Sequence, residues 1–142
     1  VHQPERKLMF SGDHLLGRAV LFFDYGHTPD PYGEFLAADD AIEPLDVDLC
    51  LPGHGKPFRE PGAKIADVRR QAGDLLDRVR AALAASAEPT AFDLVEKIVG
   101  RENLNEGTAG FMLQIVLACL DHLAMLGEAT PVPDSDPQRW RA

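Results

Sequence analysis

The sequence predicts an α/β fold followed by a smaller, mostly helical module. Three observations carry this. Over residues 1–84, apolar runs of strand length alternate with segments of helical period, in the order strand, helix, strand, helix. Two of the strand-like runs stop at glycine turns, "LMFSGD" and "LCLPGHG". Beyond "ASAEPT" (Ala85–Thr90) the patterning turns helical and ends in one short strand-like piece.

The first strand lies in "KLMFSGDHLL" (Lys7–Leu16), with Asp13 at its end. "RAVLFF" (Arg18–Phe23) is a second run of strand length. "DYGHTPDPYG" (Asp24–Gly33) is rich in Gly, Pro and Asp and reads as a loop. Pro31 can open a helix whose apolar side is Phe35, Leu36, Ile42 and Leu45. "VDLCLPGH" (Val47–His54) is the next strand. Pro61 then opens a long helix. Its apolar residues Ile65, Val68, Ala72, Leu75, Leu76, Val79 and Leu83 recur three and four apart, which makes one buried stripe.

In the second region, "AFDLVEKIVG" is a short helix stopping at Gly100, and "NLNEGT" is a polar turn. A strongly apolar helix follows over Ala109–Gly127, expected to bury Phe111, Ile115, Val116, Leu120 and Leu123. "EATPVP" is a candidate small strand, and the tail from Asp134 is expected to be loose. Short helices with a terminal β-ribbon fit a winged-helix-like module, so the domains are 1–84 and 85–142.

Composition narrows the function. The chain has 142 residues and a net charge of −9, which favours solubility and disfavours general binding to a phosphate backbone. Residues 86–142 carry nine acidic and four basic side chains, a poor composition for reading DNA. That module is expected to pack against the first region or to shape an entrance to it. No apolar run approaches membrane-spanning length, and Val1–Phe10 lacks a signal-peptide pattern, so no membrane association is expected. Cys50 and Cys119 are far apart in apolar runs and read as buried small hydrophobes, which points to a cytoplasmic location.

Asp13 and His54 are the candidate site. Both follow strand-like runs at glycine turns, and strand ends in α/β folds are where a rigid sheet holds functional loops. Glycines on both sides of His54 open backbone angles closed to other residues, and Pro52 ends the strand by removing a ladder donor. A carboxylate and an imidazole both suit zinc, manganese or iron. On the residues alone, two readings stand: a pair of metal ligands, or two turn caps.

"LMFSGDHLLGR" followed by "LCLPGHGKP" closely resembles the C-terminal half of the metallo-β-lactamase superfamily. The glyoxalase II-like and LACTB2-like hydrolases are the subgroup it looks most like, and these carry a small winged helix after the catalytic domain. The resemblance covers nearly the whole chain. It implies the C-terminal half of an αββα sandwich, with Asp13 matching the family's metal-bridging aspartate and His54 its last metal-binding histidine. It also implies two metal ions, zinc first, and hydrolysis by a metal-bound hydroxide. The family's HxHxDH motif is absent, as is the histidine between that motif and the aspartate. The expectation is therefore a C-terminal fragment, inactive alone, whose partner is the N-terminal half of the same domain. An exposed inner sheet face would also allow self-association. Thioesters or related small esters are the expected substrates, with a LACTB2-like endoribonuclease and a non-catalytic winged-helix interaction module as alternatives.

The remaining candidates have weaker patterns. His14 is a candidate to support the metal site from behind, or simply to face solvent or core. Tyr25, His27 and Tyr32 are candidates for a substrate mouth, although such loops also use aromatics for packing. His27 lies in "GHTP" but after Asp13, so it is not counted as a ligand. His2 lies in a terminus expected to fray, and His122 reads as a packed or helix-surface residue. Lys56–Arg80 holds seven basic and four acidic side chains, able to attract an anionic substrate or to form a solvated face of mixed charge.

Overall fold

The computed structural model describes all 142 residues. Strand β2 (Leu8–Gly12) sits between β1 (His2–Gln3), antiparallel to it, and β3 (Leu49–Pro52), parallel to it. A parallel pair needs a long crossover, and α1 (Pro31–Ile42) lies within it. The register sets Met9 opposite Cys50 and Gly12 opposite Pro52, so β2 and β3 end at the same edge. Met9 and Cys50 are buried.

Helix α2 (Pro61–Ala84) is one continuous helix of 24 residues. All seven apolar positions expected on its stripe are buried. Helix α3 (Ala91–Val99) starts at a reciprocal cap: the Thr90 hydroxyl accepts from the Asp93 N–H, and the Asp93 carboxylate accepts from the Thr90 N–H. Helix α4 (Glu106–Met125) packs with α3, and β4 (Thr130–Pro131) pairs antiparallel with β5 (Trp140–Arg141).

Contacts divide the chain into two compact units. The first holds Val1–Phe22 and Glu34–Gly73, and the second holds Phe23–Gly33 and Asp74–Ala142. Helix α2 contributes its first half to one unit and its second half to the other.

Several expectations are corrected. Arg18–Phe23 forms no strand. Both edges of β2 are taken by β1 and β3, and β3 is bridged on its own account by Phe58, so neither of these strands receives the run. The N-terminus is not frayed: His2 pairs with Met9, and the Val1 ammonium donates to the Phe10 carbonyl at 2.9 Å. The C-terminal tail is not loose either, since Trp140 is buried and its backbone N–H donates to the Pro89 carbonyl at 3.0 Å. Helix α4 begins at Glu106, before Ala109, because the Asn105 side chain caps it by accepting from the Thr108 N–H at 3.0 Å. Of its expected core positions, Ile115, Val116, Leu120 and Leu123 are buried, but Phe111 is 41% exposed. With 20 residues, α4 is also long and apolar enough to cross a membrane by length and composition, contrary to the sequence reading. Core helices of soluble proteins pass the same test, and six of its side chains are buried within the protein.

Candidate metal centre

The parallel pairing of β2 and β3 brings Asp13 and His54 together. Asp13 follows Gly12 at the end of β2, and His54 lies two residues past the end of β3. Their side chains meet with His54 Nε2 3.4 Å from Asp13 Oδ2, both exposed, at 80% and 57%. The Gly53 N–H donates to the Gly12 carbonyl at 2.8 Å and ties the two turns to each other. Glycine at position 53 leaves the Asp13 carboxylate its room, because a Cβ there would fall 2.4 Å from Asp13 Oδ1. Gly55, at φ +87, lets the chain double back after His54.

Beside His54 lies a hollow of about 520 Å³ lined by Leu16, Arg18, Lys56, Pro57 and Phe58, together with Gly17 and Gly55. Two of those lining groups are cationic. Much of the basic stretch further along is neutralised: Arg69 pairs with Asp40 and Glu43, Arg70 with Asp67, and Arg80 with Asp77 and Glu128. That stretch is a face of mixed charge.

His14 turns away from Asp13. Its Nε2 lies 2.9 Å from Oδ1 of Asp39 on α1, and its ring stands 4.8 Å from that of Phe35. Asp39 is fully buried, and nothing in the sequence reading singled it out. The signal was available: Asp39 falls four residues after Phe35, on the buried side of α1.

Tyr25, His27 and Tyr32 belong to the second unit. Tyr25 is partly exposed, and burial, reinforced by Asp121, raises its hydroxyl pKa. His27 is open to solvent, 3.7 Å from Asp24. Tyr32 is a core residue: it is 2% exposed, packs on Phe23 and His122, and burial pushes its pKa up to about 12. His122 is a packed residue bound to Asp30. Both cysteines are free and buried, and burial pushes the Cys119 thiol up to about 12.

This arrangement is shared with part of the fold of solved metallo-β-lactamase proteins. The chain is similar over 99% of its length to a β-lactamase domain protein from Burkholderia ambifaria, at 31% identity and a TM-score of 0.82. It is similar over the same share to a metallo-β-lactamase family protein from Thermus thermophilus, at 20% identity and a TM-score of 0.80, a likeness of fold. The chain spans 42% and 43% of those two structures. No protein-family profile and no curated protein matches the sequence.

Metallo-β-lactamase proteins typically bind metal ions, often zinc. The donors at Asp13 and His54 fit one. Two ligands each about 2.0–2.1 Å from a tetrahedral zinc stand about 3.3 Å apart, close to the separation found here. Both donors are also accessible. They are, however, only two, and no cluster of three or more His, Cys, Asp or Glu side chains able to hold a metal occurs in the chain.

Proposed function

We propose that this chain supplies the aspartate and histidine side of a two-metal hydrolase site, with zinc as the metal and a thioester or related small ester as substrate. The observation that supports this most is the meeting of Asp13 and His54 at the shared edge of two parallel strands. Asp13 would hold metal through its carboxylate, and His54 through a ring nitrogen. The donor types also suit manganese or iron. The other ligands come from protein outside these 142 residues, the N-terminal half of the same domain. When bound, the metal supplies a Lewis acid that polarises the ester carbonyl and lowers the pKa of water.

The chain's own residues then bind and orient. Arg18 and Lys56, lining the hollow beside His54, hold an anionic tail of the substrate, and Phe58 gives an apolar wall. The net charge of −9 favours a small ester over a polyanion such as RNA. Residues 85–142, with α3, α4 and the β4–β5 ribbon, are read as a winged-helix-like module.

The test measures zinc content and thioester hydrolysis for this chain alone and for the chain co-expressed with the N-terminal half. We expect little zinc and no turnover alone, and turnover in the mixture that Asp13→Ala or His54→Ala abolishes. Full turnover by the chain alone overturns the proposal, as does turnover in the mixture that ignores both substitutions. Salt-sensitive RNA cleavage without ester hydrolysis would replace the substrate class.

A further inference from the structure

We infer that His14, held from behind by the buried carboxylate of Asp39, is the positioning residue that fixes Asp13 for its metal. This rests on the reading of Asp13 and His54 as metal ligands.

Asp13 and His14 are neighbours with opposite fates. Asp13 reaches out to His54, and His14 reaches in to Asp39, so the peptide between them is pinned on its inner side. A carboxylate accepts, so the Nε2–H of His14 donates to Asp39 Oδ1. The turn is tied on its other flanks as well. Gly12 is held by the Gly53 N–H, and the Ser11 hydroxyl donates to the Leu15 carbonyl at 2.7 Å. With both neighbours fixed, Asp13 keeps only its own side-chain torsions.

Asp39 is a costly residue to keep. It is the one charged side chain that is fully buried, and its Oδ2 has no hydrogen bond. The nearest cation is Arg69, whose Nε stands 3.9 Å from Oδ2 while its other nitrogens are engaged by Asp40 and Glu43. An apolar residue of similar volume would pack there without the desolvation cost, so stability does not account for Asp39. Holding the His14 ring in one orientation does. The line runs from Arg69 through Asp39 and His14 to Asp13. It corresponds to the outer contacts that orient metal ligands, whose loss typically costs about 10–100-fold in metal affinity.

Zinc titrated into the isotope-labelled full chain, followed by the NMR signals of the His54 ring, gives the test. Asp13→Ala checks the underlying reading and is expected to abolish the saturable shift at His54. His14→Leu is expected to weaken zinc by about 10-fold or more, and His14→Gln, whose amide nitrogen replaces Nε2, to restore it. His14→Leu leaves Asp39 buried and unpaired, so the double variant His14→Leu/Asp39→Leu guards against misfolding. It is expected to melt at or above the parent temperature and still bind zinc weakly, a combination that a purely structural role would not produce. Parental zinc affinity in the double variant, with affinity lost in Asp13→Ala, overturns the positioning role and leaves the ligand reading standing. Parental affinity in Asp13→Ala overturns both.

Discussion

The Asp30 carboxylate grips His122, with His122 Nδ1 3.0 Å from each of its oxygens, and at the same time accepts the Gly33 N–H at 2.8 Å. One side chain thus caps the first turn of α1 and anchors the far end of α4. Asp30→Ala removes both contacts and leaves a part-buried imidazole without its partner. We expect a loss of about 1–3 kcal/mol in chemical denaturation. A double-mutant cycle with His122→Ala should return a coupling of about 0.5–3 kcal/mol; additive single effects would show that the pair carries no shared energy.

Gly53→Ala separates site from fold. The new methyl meets chiefly the mobile end of the Asp13 side chain, so the melting temperature should hardly change. The Asp13 carboxylate must swing aside, and zinc affinity should fall about 10-fold or more. Calorimetric titration checks the second point and thermal denaturation the first.

Asp121 and Asp93 should give stability of opposite pH dependence. Burial, with help from Asp30, raises the pKa of Asp121. A raised folded value means the folded state binds more protons, so stability falls as pH climbs from the ordinary carboxylate value through the raised one. Asp121→Asn should therefore stabilise the protein at neutral pH, and the gain should vanish in acid. The hydrogen bonds from the Thr90 N–H and hydroxyl lower the pKa of Asp93. Its contribution is present above the ordinary carboxylate value and lost as pH falls through the depressed one. Asp93→Asn should cost about 0.5–2 kcal/mol at neutral pH and little in acid. Melting curves from neutral pH down into the acid range read both.

Leu120 and Phe111 lie on the same helix and should respond unequally. Leu120 is fully buried, and Leu120→Ala is expected to cost about 2–5 kcal/mol. Phe111 is 41% exposed, and Phe111→Ala should cost under about 1 kcal/mol. Denaturant midpoints of the two variants decide it.

The parts of the fold legible in the sequence were those set by local pattern. The α2 stripe was readable because each apolar position answers to the same helical period. The meeting of Asp13 and His54 was readable because each sits at a glycine turn just past the end of a strand. Arg18–Phe23 was misread because an apolar run states a propensity and not whether a strand edge is free to receive it. Trp140 was missed because its burial depends on pairing with β4, a partner that lies outside any local window. Asp39 was passed over because a carboxylate on an apolar stripe looks like a break in the pattern until His14 is seen facing it.

The parallel pairing of β2 with β3 also governs the order in which the molecule can assemble. No rung between them closes until the whole stretch from Asp13 to Asp48 has been gathered in, α1 included. Contacts of that span form slowly, because the chain loses loop entropy before the ladder rewards it. The α3–α4 pair, joined by a short link, needs no such gathering. On a newly made chain, then, the helices should be in place while Asp13 and His54 are still apart, and through that interval β2 stands as an open edge on which another unfinished chain can settle.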